Sequence, residues 1–265
     1  MILLSQNIYL AHKNFLSELA AELHGIRSTH DRLIIADASN GTPVWAQDIW
    51  FEPKQIKFES INEAAQILKS LGKKWALFSV ACHRRAKLIQ EKLPKFETKR
   101  IIFNSHQKGE YIDSPLQEKF GCWSLIDEHT ILASTHTLKN APCGIYEFVE
   151  NKTVSPTRAY LKLWEVFTCL NIAPKKDEVC LDLGSSPGGW TWVLQQLGAH
   201  VISVDKAPLD SKIARFPNIQ FLKQSAFSLD PRLHEPVDWI FSDVICYPER
   251  LYTFVKRWLD SGKCK

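Results

Sequence analysis

The apolar residues of this 265-residue chain change their period along its length. In NFLSELAAEL (14–23), Phe15, Leu16, Leu19 and Leu23 recur at helical spacing, and INEAAQILKSLG (61–72) repeats the pattern up to a glycine stop. Short apolar runs at 31–39 and 74–81 predict strands, and the basic stretch HRRAKLIQEKL (83–93) predicts a helix. Further strands are expected over 99–105, 122–127 and 129–135, which gives the first half an α+β character. Residues 140–158 hold two prolines and a polar break, and the domain boundary is placed there, dividing the chain into 1–150 and 151–265. Beyond it, strands and helices alternate. A helix is expected over 158–172, a strand over 179–183, a helix over 188–197, strands over 200–205, 219–223 and 237–243, and a helix over 248–259 opened by Pro248. This alternation predicts an α/β fold with a doubly wound, mostly parallel sheet, whose ligand crevice lies at the strand carboxyl ends.

Composition narrows the class only a little. Apolar residues make up 45% and charged residues 23%, and the net charge is +4. A sizeable core is therefore available, and a polyanionic partner is allowed without being required. Seven scattered cysteines with no CxxC pair argue against a disulfide framework or a structural zinc site and for reduced thiols. The start MILLSQNIYLAHKNF has no basic segment before its short apolar run, and no stretch is long enough to cross a bilayer. A cytoplasmic protein with no membrane partner is expected.

The informative stretch is LDLGSSPGGWTWVL (181–194). A strand ends at an acid, a loop of small residues follows, and a helix begins. The loop has Gly184, Gly188 and Gly189, but Ser186 stands where a dinucleotide fingerprint needs its second glycine, and no G-K-[ST] follows. Pyrophosphate binding is disfavoured, while the helix start still offers free amides to a ligand. The next strand ends at Asp205, where a carboxylate can accept from both hydroxyls of a ribose. A ribose site without a pyrophosphate turn suits a single nucleoside with a non-phosphate tail, such as S-adenosylmethionine.

Four stretches in order carry a family resemblance. DLGSSPGGW resembles the DLGxxPGGW motif of FtsJ-like RNA ribose 2′-O-methyltransferases. SPTRAYLKLWE (155–165), VISVDKAPL (201–209) and WIFSDVICYPERLYTFVKRWLDSGKC (239–264) are similar to segments of one branch, the RlmM-like enzymes of large-subunit (23S-type) ribosomal RNA. The resemblance covers 155–265 well and 1–150 weakly. It implies a Rossmann-like methyltransferase domain preceded by a ferredoxin-like and THUMP-like RNA-binding region. It implies S-adenosylmethionine as cofactor and ribosomal RNA as partner. It matches Lys162 and Asp243 to the first half of a catalytic K-D-K-E tetrad, the lysine taking the proton of a ribose hydroxyl and the carboxylate orienting the amine. Cofactor contacts carried over by motif are Ser186, Pro187, Gly188, Gly189, Asp205, Ser225 and Asp243. Ser225 stands where the branch usually has Asp. The branch's second Lys and its Glu match no residue up to Lys265, so a truncated form of the enzyme is expected.

Two other readings stand beside this one. A cofactor- or RNA-binding protein with little turnover would fit the missing half of the tetrad, and an NAD-type oxidoreductase would fit Asp205 but not the loop. For RNA contact the candidates are the cations of HRRAKLIQEKLPKFETKR (83–100), diluted by Glu91 and Glu97, and the rings of Trp45, Trp50 and Trp75, for which core packing is the simpler role. Trp190 either lies beside the ligand or packs in the core.

Overall fold

The computed structural model describes residues 1–95, 100–103, 121–139 and 141–264. Contacts divide the chain into two compact units, Met1–Arg100 with Ser114–Glu147, and Ile101–Asp113 with Phe148–Lys265. The strand expected over 99–105 falls partly outside the described residues. Within them, Ile101 forms a parallel bridge with Phe148.

The first unit contains β1 (Ile2–Leu3), β2 (Asn7–Ala11), α1 (Leu16–Glu22), β3 (Ser28–His30), β4 (Leu33–Ala36), β5 (Ala46–Phe51), β6 (Lys54–Lys57), α2 (Ile61–Leu71), β7 (Trp75–Leu77), α3 (His83–Lys92), β8 (Gly121–Asp127), β9 (Thr130–Ser134) and β10 (His136–Thr137). These strands make two five-stranded sheets, ordered β1-β6-β9-β8-β7 and β10-β5-β2-β4-β3. One core joins the sheets face to face, with Ile8, Leu10, Leu33 and Trp50 of one against Ala76, Cys122 and Leu132 of the other. The outer face of the first sheet is covered by α2 and α3 through Ala65, Leu68, Ala86 and Ile89. The outer face of the second is covered by α1 through Leu19 and Leu23. The unit is thus α+β with helices outside and sheets inside. Ser60 caps α2 by accepting from Glu63 N at 3.2 Å, while the Glu63 carboxylate accepts from Glu59 N at 2.8 Å, a reciprocal arrangement that satisfies two otherwise free donors.

Two of the three tryptophans considered for RNA stacking serve this core. Trp50 and Trp75 are buried, and Trp45 stacks on Phe15 with ring centroids 4.3 Å apart. On α3, Arg85 donates to Glu59 O at 3.0 Å and covers the Phe58 ring, so it is committed to the unit's own structure. Arg84, Lys87, Lys92 and Lys95 are exposed, Arg100 lies 3.8 Å from Glu147, and Lys99 lies outside the described residues.

The second unit contains α4 (Tyr160–Leu170), β11 (Val179–Leu183), α5 (Gly189–Gln196), β12 (His200–Asp205), β13 (Ile219–Lys223), β14 (Trp239–Ser242) and α6 (Pro248–Asp260). Its four strands are all parallel, in the order β13-β12-β11-β14. Numbered within the unit, that order is 3-2-1-4, as in a doubly wound sheet. Leu181 and Leu183 of β11 and Val204 of β12 meet Phe254 and Trp258 of α6 on one face. Strand alternation turns Asp182 to the opposite face, under α5. There Tyr160, Trp164 and Trp192 form an edge-on aromatic cluster that fastens α4 to α5, with Tyr160 5.2 Å from Trp192. Burying each such ring is worth about 1.5–3 kcal/mol. Among the described residues, no helix is long and apolar enough to cross a membrane.

Candidate active site

β12 and β13 lie on one side of β11 and β14 on the other, so the strand order reverses between β11 and β14, and the crevice at such a switch point is where open α/β sheets take ligands. The backbone after β11 turns at once. Gly184 N donates to Val204 O at 2.9 Å, and Asp243 N donates to Leu183 O at 3.2 Å, which draws the end of β14 against the loop. Gly184 has φ +79°, and a Cβ there would lie 2.7 Å from Val244 Cγ2 and 3.2 Å from the Val244 backbone. Gly184→Ala is expected to cost about 1–3 kcal/mol through backbone strain and this clash. Denaturant unfolding checks it, and an unchanged midpoint would rule out so tight an approach.

The rest of the loop is held from the second strand. Ser186 N donates to Asp205 Oδ2 at 3.0 Å, and Ala207 N donates to Asp205 Oδ1 at 2.9 Å. Ser186 Oγ donates to Pro208 O at 2.8 Å, and Asp210 N donates to Pro187 O at 2.9 Å. Each Asp205 oxygen therefore gives one lone pair to the protein and keeps another for a ligand. Gly188 caps α5 at φ +113°, where an added Cβ would stand 3.0 Å from Ile213. The glycine positions of the loop are thus closed by the protein's own side chains, Val244 at Gly184 and Ile213 at Gly188.

Lys162 and Asp243, 81 residues apart in sequence, meet directly. Lys162 Nζ donates to Asp243 Oδ1 at 2.7 Å and Oδ2 at 2.9 Å. The side chains are 60% and 35% exposed. An ion pair this solvated contributes on the order of 1 kcal/mol or less to stability. It is open to a substrate, and the aromatic cluster, not the pair, holds α4 in place. Ser225 stands on the turn after β13, where its carbonyl accepts from Ser228 N at 3.0 Å. Among the described residues no hydrogen bond links it to the other candidates. Trp190 is half-buried and donates from Nε1 to Ala159 O at 2.9 Å, tying α5 to the start of α4.

One residue of the site received no role from the sequence. Asp182 is fully buried, and burial pushes its carboxyl up to about 7, against the lowering effect of the Thr191 hydrogen bonds. The charges of Asp243 and Asp205 add to the rise. Thr191 Oγ1 donates to Asp182 Oδ2 at 2.6 Å and lies 2.8 Å from Ser203 Oγ, while Asp182 Oδ1 and the buried Ser185 hydroxyl have no hydrogen-bond partner. The acid of LDLG is visible in the sequence, and the alternation of VCLDL puts it on the face toward α5. What the sequence does not give is the depth of burial.

Three carboxylates thus gather at the strand tips, one under the loop and two at its rim. The site is the switch-point crevice of a doubly wound α/β sheet, with an acidic rim. Residues 156–252 match the family model described as FtsJ-like methyltransferase. The chain is similar to ribosomal RNA large subunit methyltransferase M of Thauera aminoaromatica, 32% identical over 130 residues that make up 47% of this chain and 35% of the relative. The protein of the same name from Alkalilimnicola ehrlichii is 38% identical over 117 residues, 42% of this chain and 32% of the relative. That from Xanthomonas oryzae pv. oryzae is 31% identical over 160 residues, 57% of this chain and 45% of the relative. The match spans less than half the length of each of these curated relatives.

Proposed function

We propose that the second unit binds S-adenosylmethionine and transfers its methyl group to a ribose 2′-hydroxyl of large-subunit ribosomal RNA. The observation that carries the reading is the Lys162–Asp243 pair, formed by two distant segments at the mouth of the crevice. The FtsJ-like match and the names of the relatives support the same chemistry. Fit to the cofactor is supported by the unused lone pairs of Asp205 and by the carboxylates of Asp205 and Asp243 at the rim, which favour a ligand carrying sulfonium and ammonium charges. When bound, the cofactor supplies an electrophilic methyl group. Ser186, Pro187, Gly188 and Gly189 would pass along its amino-acid and ribose portions, Asp205 would accept from the diol, Ser225 would lie toward the adenine edge, and Asp243 would border the transferring group.

The protein's own part is positional. Lys162 stands in reach of a hydroxyl placed at the mouth; once its ammonium has released a proton to solvent, the free amine takes the hydroxyl proton as the oxygen attacks, while Asp243 orients the amine through both carboxylate oxygens. The first unit, α+β with exposed cations on α3, serves in this reading as the THUMP-like RNA-binding part, and the setting is the cytoplasm.

The test uses labelled cofactor and large-subunit rRNA transcripts. Label is expected at one nucleotide, in a linkage that resists alkaline hydrolysis because the 2′-oxygen is blocked. Label on a base overturns the ribose assignment. Cofactor binding without transfer to any precursor RNA favours the second reading, a binding protein without turnover, which the tetrad half matched by Lys162 and Asp243 alone would permit. A further outcome concerns Asp205. Asp205→Ala removes an acceptor for Ser186 N, Ala207 N and the diol, and hydrogen bonds to a charged acceptor are each worth about 1.5–3 kcal/mol. Affinity for S-adenosylhomocysteine is expected to fall about 10–100-fold by calorimetry. Unchanged affinity would take Asp205 out of the site.

A further inference from the structure

We propose that Trp190 is a positioning residue for Lys162, acting through the carbonyl of Ala159. The proposal rests on the reading of Lys162 given above. Lys162 sits in the first turn of α4, and that turn lacks the usual fastening. Its N-cap residue, Ala159, has no side chain able to cap, and no side-chain cap bond is made there. The first amides of a helix have no partner within it, so an uncapped first turn frays most readily.

The missing fastening comes from α5 instead. Ala159 O accepts from Lys162 N at 3.1 Å and from Trp190 Nε1 at 2.9 Å. The amide of Lys162 and the indole of Trp190 are thus pinned to one oxygen. On the other side, Ala159 N donates to Thr157 Oγ1 at 3.3 Å, and that oxygen lies so close to Gly189 that a Cβ there would be 2.7 Å away. Two successive residues that open α5, Gly189 and Trp190, therefore hold 157–159, immediately before the helix that carries Lys162. The ring contacts of Tyr160 and Trp164 secure α4 further along one face. The exposed Lys162–Asp243 pair is too weak to hold the turn by itself. Position therefore runs from Trp190 to Ala159 to Lys162, and the amine meets Asp243 as a result. A displacement of about 1 Å at a reacting group costs on the order of 100-fold in rate, so a loosened first turn would be felt in catalysis even with the cofactor site intact.

Trp190→Phe removes the indole N–H and keeps an aromatic ring. The expected result has three parts. Calorimetric affinity for S-adenosylhomocysteine stays within about twofold. The rate at which an amine-reactive ester labels Lys162, read by mass spectrometry, changes at least threefold, while Lys175 and Lys176 keep theirs. Methyl transfer falls about tenfold in kcat with KM nearly constant. Thr157→Val, which loosens the same turn without touching the rings, should shift Lys162 labelling in the same direction and keeps the test usable if the tryptophan variant fails to fold. Unaltered Lys162 labelling in the folded variants overturns the proposal. So does a large loss of cofactor affinity with Lys162 labelling unchanged, which would make Trp190 a ligand contact. If the unmodified protein transfers no methyl group at all, the functional reading falls, and the labelling comparison still decides the role of Trp190.

Discussion

Lys162→Ala is expected to lower methyl transfer about 100-fold or more while leaving cofactor affinity within about threefold. General acid–base groups contribute roughly 10²–10⁴ to rate, and the Lys162 amine lies at the mouth of the crevice with 60% of its side chain exposed. The side chain fastens little. Its ion pair with Asp243 is solvated, and α4 is held by Tyr160, Trp164 and the Trp190 bond to Ala159. Truncation therefore removes a reacting group and leaves the scaffold. Melting temperature should move by no more than about 4 °C, since an exposed pair is worth at most about 1 kcal/mol. Steady-state transfer kinetics, calorimetry and a melting curve on the same preparation make the check. Parallel loss of turnover and cofactor affinity would assign Lys162 to ligand binding or folding. Asp243→Asn is a milder companion: the amide keeps one oxygen for the amine and loses the charge, so turnover should fall less than in Lys162→Ala.

The second unit was the legible half of the chain. Its elements alternate, and β11, β12 and β14 run into Gly184, Asp205 and Asp243, so β11, β12, β13, α5 and α6 fall within a residue or two of the expected ranges. The first unit was harder for a physical reason. β4 and β9, which fall in the expected strands 31–39 and 129–135, are buried on both faces, and so is nearly all of β2, which no expected strand covers, between a helical layer and a second sheet. A strand with two apolar neighbours shows a continuous apolar run without alternation. NIYLA consequently shows no strand alternation, and β5 and β6, joined around Glu52 and Pro53, are not among the expected strands although each is an inner strand of its sheet. At the site, residue types carried the reading of Lys162, Asp205, Asp243 and the glycine loop. What they could not carry was tertiary: the approach of Lys162 to Asp243, the fastening of Ala159 by Trp190, and the sealing of Asp182 under α5.

That sealing sets up the second large effect, on stability and not on rate. Asp182 titrates at about 7 in the folded chain, raised from an ordinary value of 3.8 mainly by loss of water. Below about pH 4 the carboxyl is protonated whether the chain is folded or not, and the group has no pH-dependent effect. Between pH 4 and 7 the folded chain still holds a proton that the unfolded chain has released, so stability falls as pH rises through this window and levels off above it. A gap of about three pH units corresponds to a ceiling of about 4 kcal/mol. Asp182→Asn keeps an oxygen for the Thr191 hydroxyl and carries no charge. The variant should match the parent near pH 4 and exceed it by about 2–4 kcal/mol at pH 8, measured by urea unfolding across the range. Asp48 provides an internal comparison in the first unit, since burial raises it to about 7 as well, with its Oδ2 likewise unpartnered. Asp48→Asn should remove the same pH dependence from the first unit's transition and leave the second's in place. Curves for parent and Asp182→Asn that run parallel from pH 4 to 8 would mean that Asp182 stays charged when folded, with its open oxygen solvated or bound. The acid under the loop would then belong to ligand binding and not to the neutral floor described here.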